Sequence, residues 1–258
     1  MKITNFAFTI FLSVLSGSVG ASGSVSEEEQ KDFTLEGEFG SIFSGGNTQT
    51  TSFKGSLRSH HEMQDWSNDY VIEALYRQDD VMLVDDATGE EYEETQTTAQ
   101  RFFISSQANY KLTDPDNRLF AFASYEDARF SSFEYQATIA AGWSSQWFKK
   151  PNSHFTYSIG PGYAFQELQE GEDASGMILR GQLDYGWKIS KNANIKQILS
   201  TEIGSLNTKS RSESSVSAKI NGSMSMKVSV ILNHNTEVEE GAENLDTETA
   251  VTLVYNFF

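Results

Sequence analysis

The sequence contains no cysteine and only four histidines. The absence of cysteine excludes disulfide frameworks, thiol nucleophiles and cysteine-ligated zinc. His60 and His61 are adjacent and point to opposite faces of a strand, while His154 and His234 are isolated, so none has metal-ligand spacing. We therefore predict no catalytic, cofactor-binding or metal-binding residues.

Basic residues are scarce: 19 Lys and Arg stand against 36 Asp and Glu, for a net charge of -17. This balance excludes nucleic acid as a partner, because phosphate binding needs a basic surface. Half of the acidic residues, 18 of 36, lie in residues 79–94, 167–173 and 237–248. These segments lack the Asp-x-Asp-x-Asp-Gly spacing of a calcium loop, so we expect a diffuse atmosphere of divalent cations around them.

Long apolar runs are also missing. The run at residues 6–15 is too short for a membrane-spanning helix, which needs about 20 apolar residues. It follows Met1 and Lys2 and precedes small residues up to Ala21, which is the order of a cleaved signal peptide. We predict a signal peptide at residues 1–21, a flexible periplasmic leader at 22–32 and one domain at 33–258.

In place of long apolar runs, the sequence alternates apolar and polar residues. Although hydrophobic residues make up only 38% of the chain, aromatics make up 12%, and from Phe33 onward period-two alternation recurs, as in residues 135–147 and 177–189. This pattern predicts twelve strands, with short turns after the even-numbered strands and long acidic loops at residues 79–94, 167–173 and 237–248 on the opposite side. The expected ranges of the strands are 33–44, 50–62, 66–79, 97–112, 118–130, 134–148, 154–167, 176–190, 194–206, 212–220, 224–236 and 247–258.

The apolar face of these strands could point to a dry core, as in a soluble sandwich, or to lipid. Aromatic residues at the ends of the apolar stripes, such as Tyr135, Trp147, Phe155 and Phe165, favour lipid, because membrane barrels carry aromatic girdles at both interfaces. The strands are also longer than the usual 5 to 6 or so residues of soluble proteins. We predict an all-β, antiparallel, up-and-down transmembrane barrel of about 12 strands in the outer membrane, with both termini periplasmic.

Charged residues on the other face should then line the lumen. Because ionised groups in a lumen must be paired or hydrated, we predict that carboxylates and cations there neutralise one another rather than act as acids and bases. The predicted acids are Glu36, Glu38, Glu73, Glu126, Glu134, Asp184 and Glu202, and the predicted cations are Lys54, Arg58, Arg77, Arg101, Arg180, Lys188, Lys196, Lys219 and Lys227.

Two features concern single strands. Pro161, one of only three prolines, falls inside the seventh predicted strand, where a closed barrel offers no free edge, so we expect a β-bulge there. The last strand, residues 248–258, ends in aromatic residues and resembles the signal by which the barrel-assembly machinery recognises its clients.

Several segments, in order along the chain, resemble one family. They are residues 37–51 (GEFGSIFSGGNTQTT), 125–137 (YEDARFSSFEYQA), 160–163 (GPGY), 219–222 (KING) and 246–255 (DTETAVTLVY). They are similar to the YdiY-like domain of unknown function, whose members are described as salt-induced outer membrane proteins of Gram-negative bacteria. The resemblance covers essentially all of the chain after the signal peptide. It implies a single barrel without an established activity, and no catalytic residues.

Three functions remain open at this point. The first is a structural or salt-stress barrel whose acidic loops interact with divalent cations and lipopolysaccharide. The second is a narrow, porin-like passive channel, since twelve strands lie between the filled eight-stranded barrels and the open porins. The third is a lipid-modifying enzyme, for which His234 is the candidate base. A soluble periplasmic binding barrel is the alternative placement.

Overall fold

The computed structural model of the chain describes residues 32–44, 50–84, 91–238 and 243–257. The predicted signal peptide and nearly all of the leader, residues 22–31, lie outside the described residues. The described residues form twelve antiparallel strands that close into one barrel, in which each strand pairs with its sequence neighbours and β1 pairs with β12. None of the described residues forms a helix that could cross a membrane.

The strands agree closely with the alternation in the sequence. Their ranges are β1 Phe33–Ser44, β2 Thr50–Glu62, β3 Trp66–Val84, β4 Glu91–Lys111, β5 Asn117–Arg129, β6 Phe133–Lys150, β7 Ser153–Leu168, β8 Gly176–Lys188, β9 Ala193–Gly204, β10 Thr208–Lys219, β11 Met224–Asn235 and β12 Leu245–Asn256. The connections after even-numbered strands are short turns, as predicted, and we call that end of the barrel the short-turn end. The opposite end is the long-connection end.

The prediction of a long acidic loop at residues 79–94 is wrong. β2 pairs with β3 only as far as Asp79, and β5 pairs with β4 only as far as Gln100, but the β3–β4 ladder continues to Val84 and Glu91. Most of the expected loop is therefore a two-stranded hairpin that extends past the neighbouring strands, and only residues 85–90 connect its strands.

The bulge expected at Pro161 is also absent. The β6–β7 register is the same on both sides, with Ala140 opposite Gly162 and Trp143 opposite Ile159, and it shifts elsewhere, near Phe133 and near Gln146. The strands approach so closely here that a β-carbon on Gly142 would lie 2.3 Å from the Ile159 carbonyl oxygen. The two glycines at this crossing, Gly142 and Gly160, allow the ladder to pass the proline without an inserted residue.

The barrel is apolar outside and polar inside. Large hydrophobic side chains on every strand are exposed on the outer surface, among them Phe39, Ile139 and Leu199. The buried residues are mostly polar or charged, with Glu73 at 4% exposure and Ser229 at 3%. This is the inverse of a water-soluble fold, in which apolar surface is removed from solvent.

Candidate functional site: a charged lumen with a vestibule

The middle of the lumen is filled by ion pairs centred on Glu73 of β3. This carboxylate accepts from Arg58 at 2.7 Å, from Arg101 at 2.6 Å and from Arg211 at 3.2 Å. Three strands therefore direct guanidinium groups at one carboxylate, and its charge offsets the repulsion among them.

Further pairs extend this cluster across the barrel. Lys209 donates to Glu126 and to Gln136, each at 2.6 Å, and Lys227 donates to Glu38 at 2.9 Å and to Glu213 at 3.1 Å. We call the whole set the lumen network. It comprises Glu38, Arg58, Glu73, Arg101, Glu126, Lys209, Arg211, Glu213 and Lys227.

Several of these bonds join strands that do not pair with each other. The Glu73–Arg211 bond links β3 to β10, and the Glu126–Lys209 bond links β5 to β10; in each case the strands are five positions apart in the ring of twelve. These pairs join strands on nearly opposite sides of the barrel, so the lumen network crosses the lumen at this level.

A cavity of about 520 Å³ lies above the lumen network at the long-connection end, and we call it the vestibule. Arg101, Glu126 and Lys209 of the lumen network lie on its lining, together with Lys54 and Glu248, which form an ion pair across it. Its walls thus carry both signs of charge in nearly equal number.

The prediction of mutual neutralisation in the lumen is confirmed for most of the named residues. Besides the lumen network, Arg180 pairs with Glu202 at 2.7 Å, and Asp184 is approached by His154 at 3.2 Å and by Lys196 at 3.4 Å. Glu134, in contrast, is exposed, at the start of β6 where the β6–β7 register shifts. Among the described residues no group of His, Asp and Glu side chains has the arrangement of a metal site.

Lys209 and Arg211 were missed as lumen residues because β10 was expected to start only at residue 212, and Glu213, although inside the expected strand, was not named among the lumen residues. The outward residues that alternate with them are Ser210, Ser212 and Ser214 rather than apolar ones, so the usual signal of a strand is missing. The regular alternation of charged residues with serine was the sequence signal that could have identified this part of β10.

His234 lies on the outer face, cross-strand from Ser210 of β10. The Ser210 hydroxyl is bonded to Thr201 at 3.0 Å instead, and within the described part of the chain the His234 ring has no hydrogen bond. Ser210 and His234 are therefore not joined by a hydrogen bond.

At the long-connection rim, Asp173 illustrates how single acidic residues are held. It accepts bonds from the hydroxyl and from the backbone N–H of Ser175, the latter at 2.7 Å, and these bonds lower the pKa of its carboxyl group. The carboxylate thus stays ionised in the turn.

These features define a closed, twelve-stranded antiparallel barrel with an apolar exterior and a charged lumen. The sequence profile of the family described as "Protein of unknown function, DUF481" matches residues 37–257. The chain belongs to this family. No curated protein is detectably similar to it in sequence.

Solved outer-membrane barrels share the architecture at low sequence identity. The chain is similar to the NanC porin, at 11% identity and a TM-score of 0.48, over 86% of this chain and 98% of that one. It is also similar to an outer membrane channel from Pseudomonas putida F1, at 8% identity and a TM-score of 0.47, over 91% of this chain and all of that one. A third is the translocator domain of the autotransporter NalP from Neisseria meningitidis, at 8% identity, a TM-score of 0.44 and 86% coverage of both chains.

Proposed function

We propose that this protein is an integral outer-membrane barrel whose lumen is closed by the lumen network, so that its role is structural rather than conductive. The observation that carries this proposal is an apolar exterior around a lumen that ion pairs cross from strand to strand. Both termini then lie in the periplasm, and the acidic long-connection end faces outward. The salt-stress role implied by the family resemblance fits a barrel of this kind.

The partners of this barrel follow from the same placement. Lipid acyl chains contact the apolar exterior, lipopolysaccharide and divalent cations meet the acidic rim, and β12 with Tyr255 and Phe257 is the segment for the assembly machinery. Calcium binding at the rim is measured by equilibrium dialysis at low salt. Binding that does not decrease when Glu237 and Glu243, both exposed at that end, are changed to Gln would contradict the rim proposal.

The decisive experiment combines location with conductance. The protein should appear in the outer-membrane fraction with heat-modifiable gel mobility, and in planar bilayers it should show few or no discrete openings. The double variant Lys209→Ala/Glu126→Ala removes a cross-lumen pair without changing net charge and should raise the frequency of openings. The control Arg77→Ala/Asp79→Ala removes a pair at the rim, 2.9 Å apart, and should not.

A narrow passive channel is the second candidate, and the vestibule favours it because a polar cavity of this size already reaches the lumen network. Steady openings of the unmodified protein at ordinary ionic strength would support the channel and overturn the closed barrel. We also propose that the protein has no enzymatic activity. A phospholipase or deacylase activity that His234→Ala abolishes would overturn that.

A further inference from the structure

The ladder that closes the barrel is much shorter than its neighbours. β1 and β12 pair over four residues each, from Glu36–Asn256 to Phe39–Leu253, whereas β1 pairs with β2 over twelve and β12 with β11 over eleven. Above Phe39 the facing edges, residues 40–44 and 248–252, have no ladder between them. Unpaired backbone groups are costly in a membrane, so this seam is the weakest place in the ring.

The two strands still touch at the end of the ladder. A β-carbon on Gly40 would lie 2.8 Å from Cγ2 of Thr252 and 2.9 Å from the carbonyl oxygen of Val251. The strands therefore stay in contact at Gly40, one residue beyond the last ladder pair.

An ion pair crosses the seam on its inner side. Lys54 of β2 lies opposite Gly40 in the ladder, and its ammonium group reaches over β1 to the carboxylate of Glu248 on β12. Gly40 has no side chain and so does not block this path. Lower down, the Lys227–Glu38 pair joins β11 to β1 in the same way.

Two cavities adjoin the seam on opposite faces of the wall. The vestibule reaches it from inside at Gly40, Lys54 and residues 248–251. On the outer surface, an apolar groove of about 470 Å³ lies over the neighbouring residues Gly37 and Gly55, between Phe39, Leu57 and Tyr255. The vestibule thus reaches the seam just above Phe39, and the apolar groove lies over the paired residues just below it.

We propose that β1 and β12 part above Phe39 to form a lateral portal that binds a single-chain amphiphile with a zwitterionic head group. The head group enters the vestibule through the portal, and the acyl chain lies in the outer groove. This proposal rests on the membrane placement given above.

The charges at the seam favour a zwitterion. When the strands part, the Lys54–Glu248 pair separates and leaves a cation on one side of the portal and a carboxylate on the other. Each would be uncompensated in a partly dry site, which is unfavourable. A head group that carries both a phosphate and an ammonium group replaces both lost partners, whereas an anionic, cationic or nonionic head group leaves at least one charge unpaired.

A disulfide across the portal tests the opening. Continuing the register places Ser41 opposite Val251, both on the outer face, and since the chain contains no cysteine, Ser41→Cys/Val251→Cys forms one defined pair. Native mass spectrometry then compares the oxidised and reduced forms of this one variant with hexadecyl lysophosphatidylcholine as the probe. We expect oxidation to weaken retention about tenfold, a change of about 1.4 kcal/mol. Equal retention in both forms, with unchanged heat-modifiable mobility, would overturn the portal.

Matched probes test the head group. In the reduced variant, hexadecyl maltoside and hexadecyltrimethylammonium should be retained about tenfold less than the zwitterion, because each leaves a charge at the seam unpaired. Equal retention of the three probes would overturn the assignment of a zwitterionic ligand.

The groove is tested by fluorescence quenching in vesicles. A bimane label on Leu57→Cys, in the groove, is compared with one on Leu199→Cys, outside it, since the two leucines are similarly exposed at 46% and 40%. Nitroxide-labelled lysophosphatidylcholine should quench the first more strongly, and equal quenching would overturn the groove as the chain site. A nitroxide phospholipid of the bulk bilayer should quench both positions. If it quenches neither, the membrane placement itself fails.

Discussion

At the scale of single residues, Glu73 is the carboxylate on which the lumen depends most. Three arginines lie within hydrogen-bond distance of it, and its side chain is 4% exposed. Its charge is also shared between strands that lie far apart in the ring, so Glu73 links opposite walls of the barrel.

We predict that Glu73→Ala lowers the free energy of unfolding by about 1–3 kcal/mol, because three partly buried guanidinium groups lose their shared counter-charge and keep only the longer contacts to Glu38, Glu126 and Glu213. Urea unfolding in vesicles, followed by tryptophan fluorescence, measures the loss. Glu134→Ala is the matched control, since Glu134 is an exposed carboxylate outside the lumen network, and it should change stability by less than about 0.5 kcal/mol. Equal midpoints for the two variants would show that the lumen network does not hold the barrel together.

At the scale of secondary-structure elements, the β6–β7 pair depends on two glycines. A β-carbon on Gly160 would lie 2.2 Å from the carbonyl oxygen of Ala141, which is backbone and cannot give way without moving the strand. We predict that Gly160→Ala destabilises the barrel by about 1–3 kcal/mol, as overpacking does in other proteins.

The control for this change is Gly181→Ala on β8. A β-carbon there would meet Cγ2 of Thr201 at 3.7 Å, an ordinary contact. Urea unfolding of the two variants in the same vesicles compares them directly. A loss at Gly181 as large as the loss at Gly160 would mean that alanine itself, and not the close approach of β6 and β7, causes the effect.

The strands could be predicted because the alternation of apolar and polar residues is visible within the sequence of each strand. Where alternation fails, the prediction fails with it: residues 80–84 and 91–96 continue β3 and β4 but include several acidic residues, which look like a solvated loop. The bulge predicted at Pro161 was wrong for another reason. Whether the proline disturbs the ladder depends on Gly142 and Gly160, and Gly142 lies on the neighbouring strand β6.

The contacts of the lumen were less predictable. Alternation identified which charges point inward, but the partner of each charge depends on strand number and stagger, which bring residues of distant strands together. Thus Glu73 was expected inside, while its bond to Arg211 on β10 was not. The four-residue ladder between β1 and β12 likewise could not be predicted, because alternation within a strand does not report how far it pairs with a strand at the other end of the chain.

At the scale of the whole molecule, the apolar exterior makes a prediction that separates a membrane barrel from a soluble one. Ile139, on the outer face of β6, and Leu206, in the β9–β10 connection, are exposed to almost the same extent, 52% and 53%. In water the two positions would be equivalent, and a charge at either would change stability by less than about 0.5 kcal/mol. In a bilayer they differ, because the middle of a strand lies among acyl chains and the end of the barrel does not.

We therefore expect Ile139→Arg to lower the free energy of unfolding in vesicles by about 2–4 kcal/mol, and Leu206→Arg by no more than about 1 kcal/mol. The two variants should express to nearly the same level and have nearly the same tryptophan fluorescence when folded, because neither residue is part of the lumen. If Ile139→Arg were neutral and the protein stayed monodisperse in buffer without detergent, the outer surface would not face lipid. A penalty that falls off from the middle of the strand toward its ends would place the hydrocarbon layer on the barrel residue by residue.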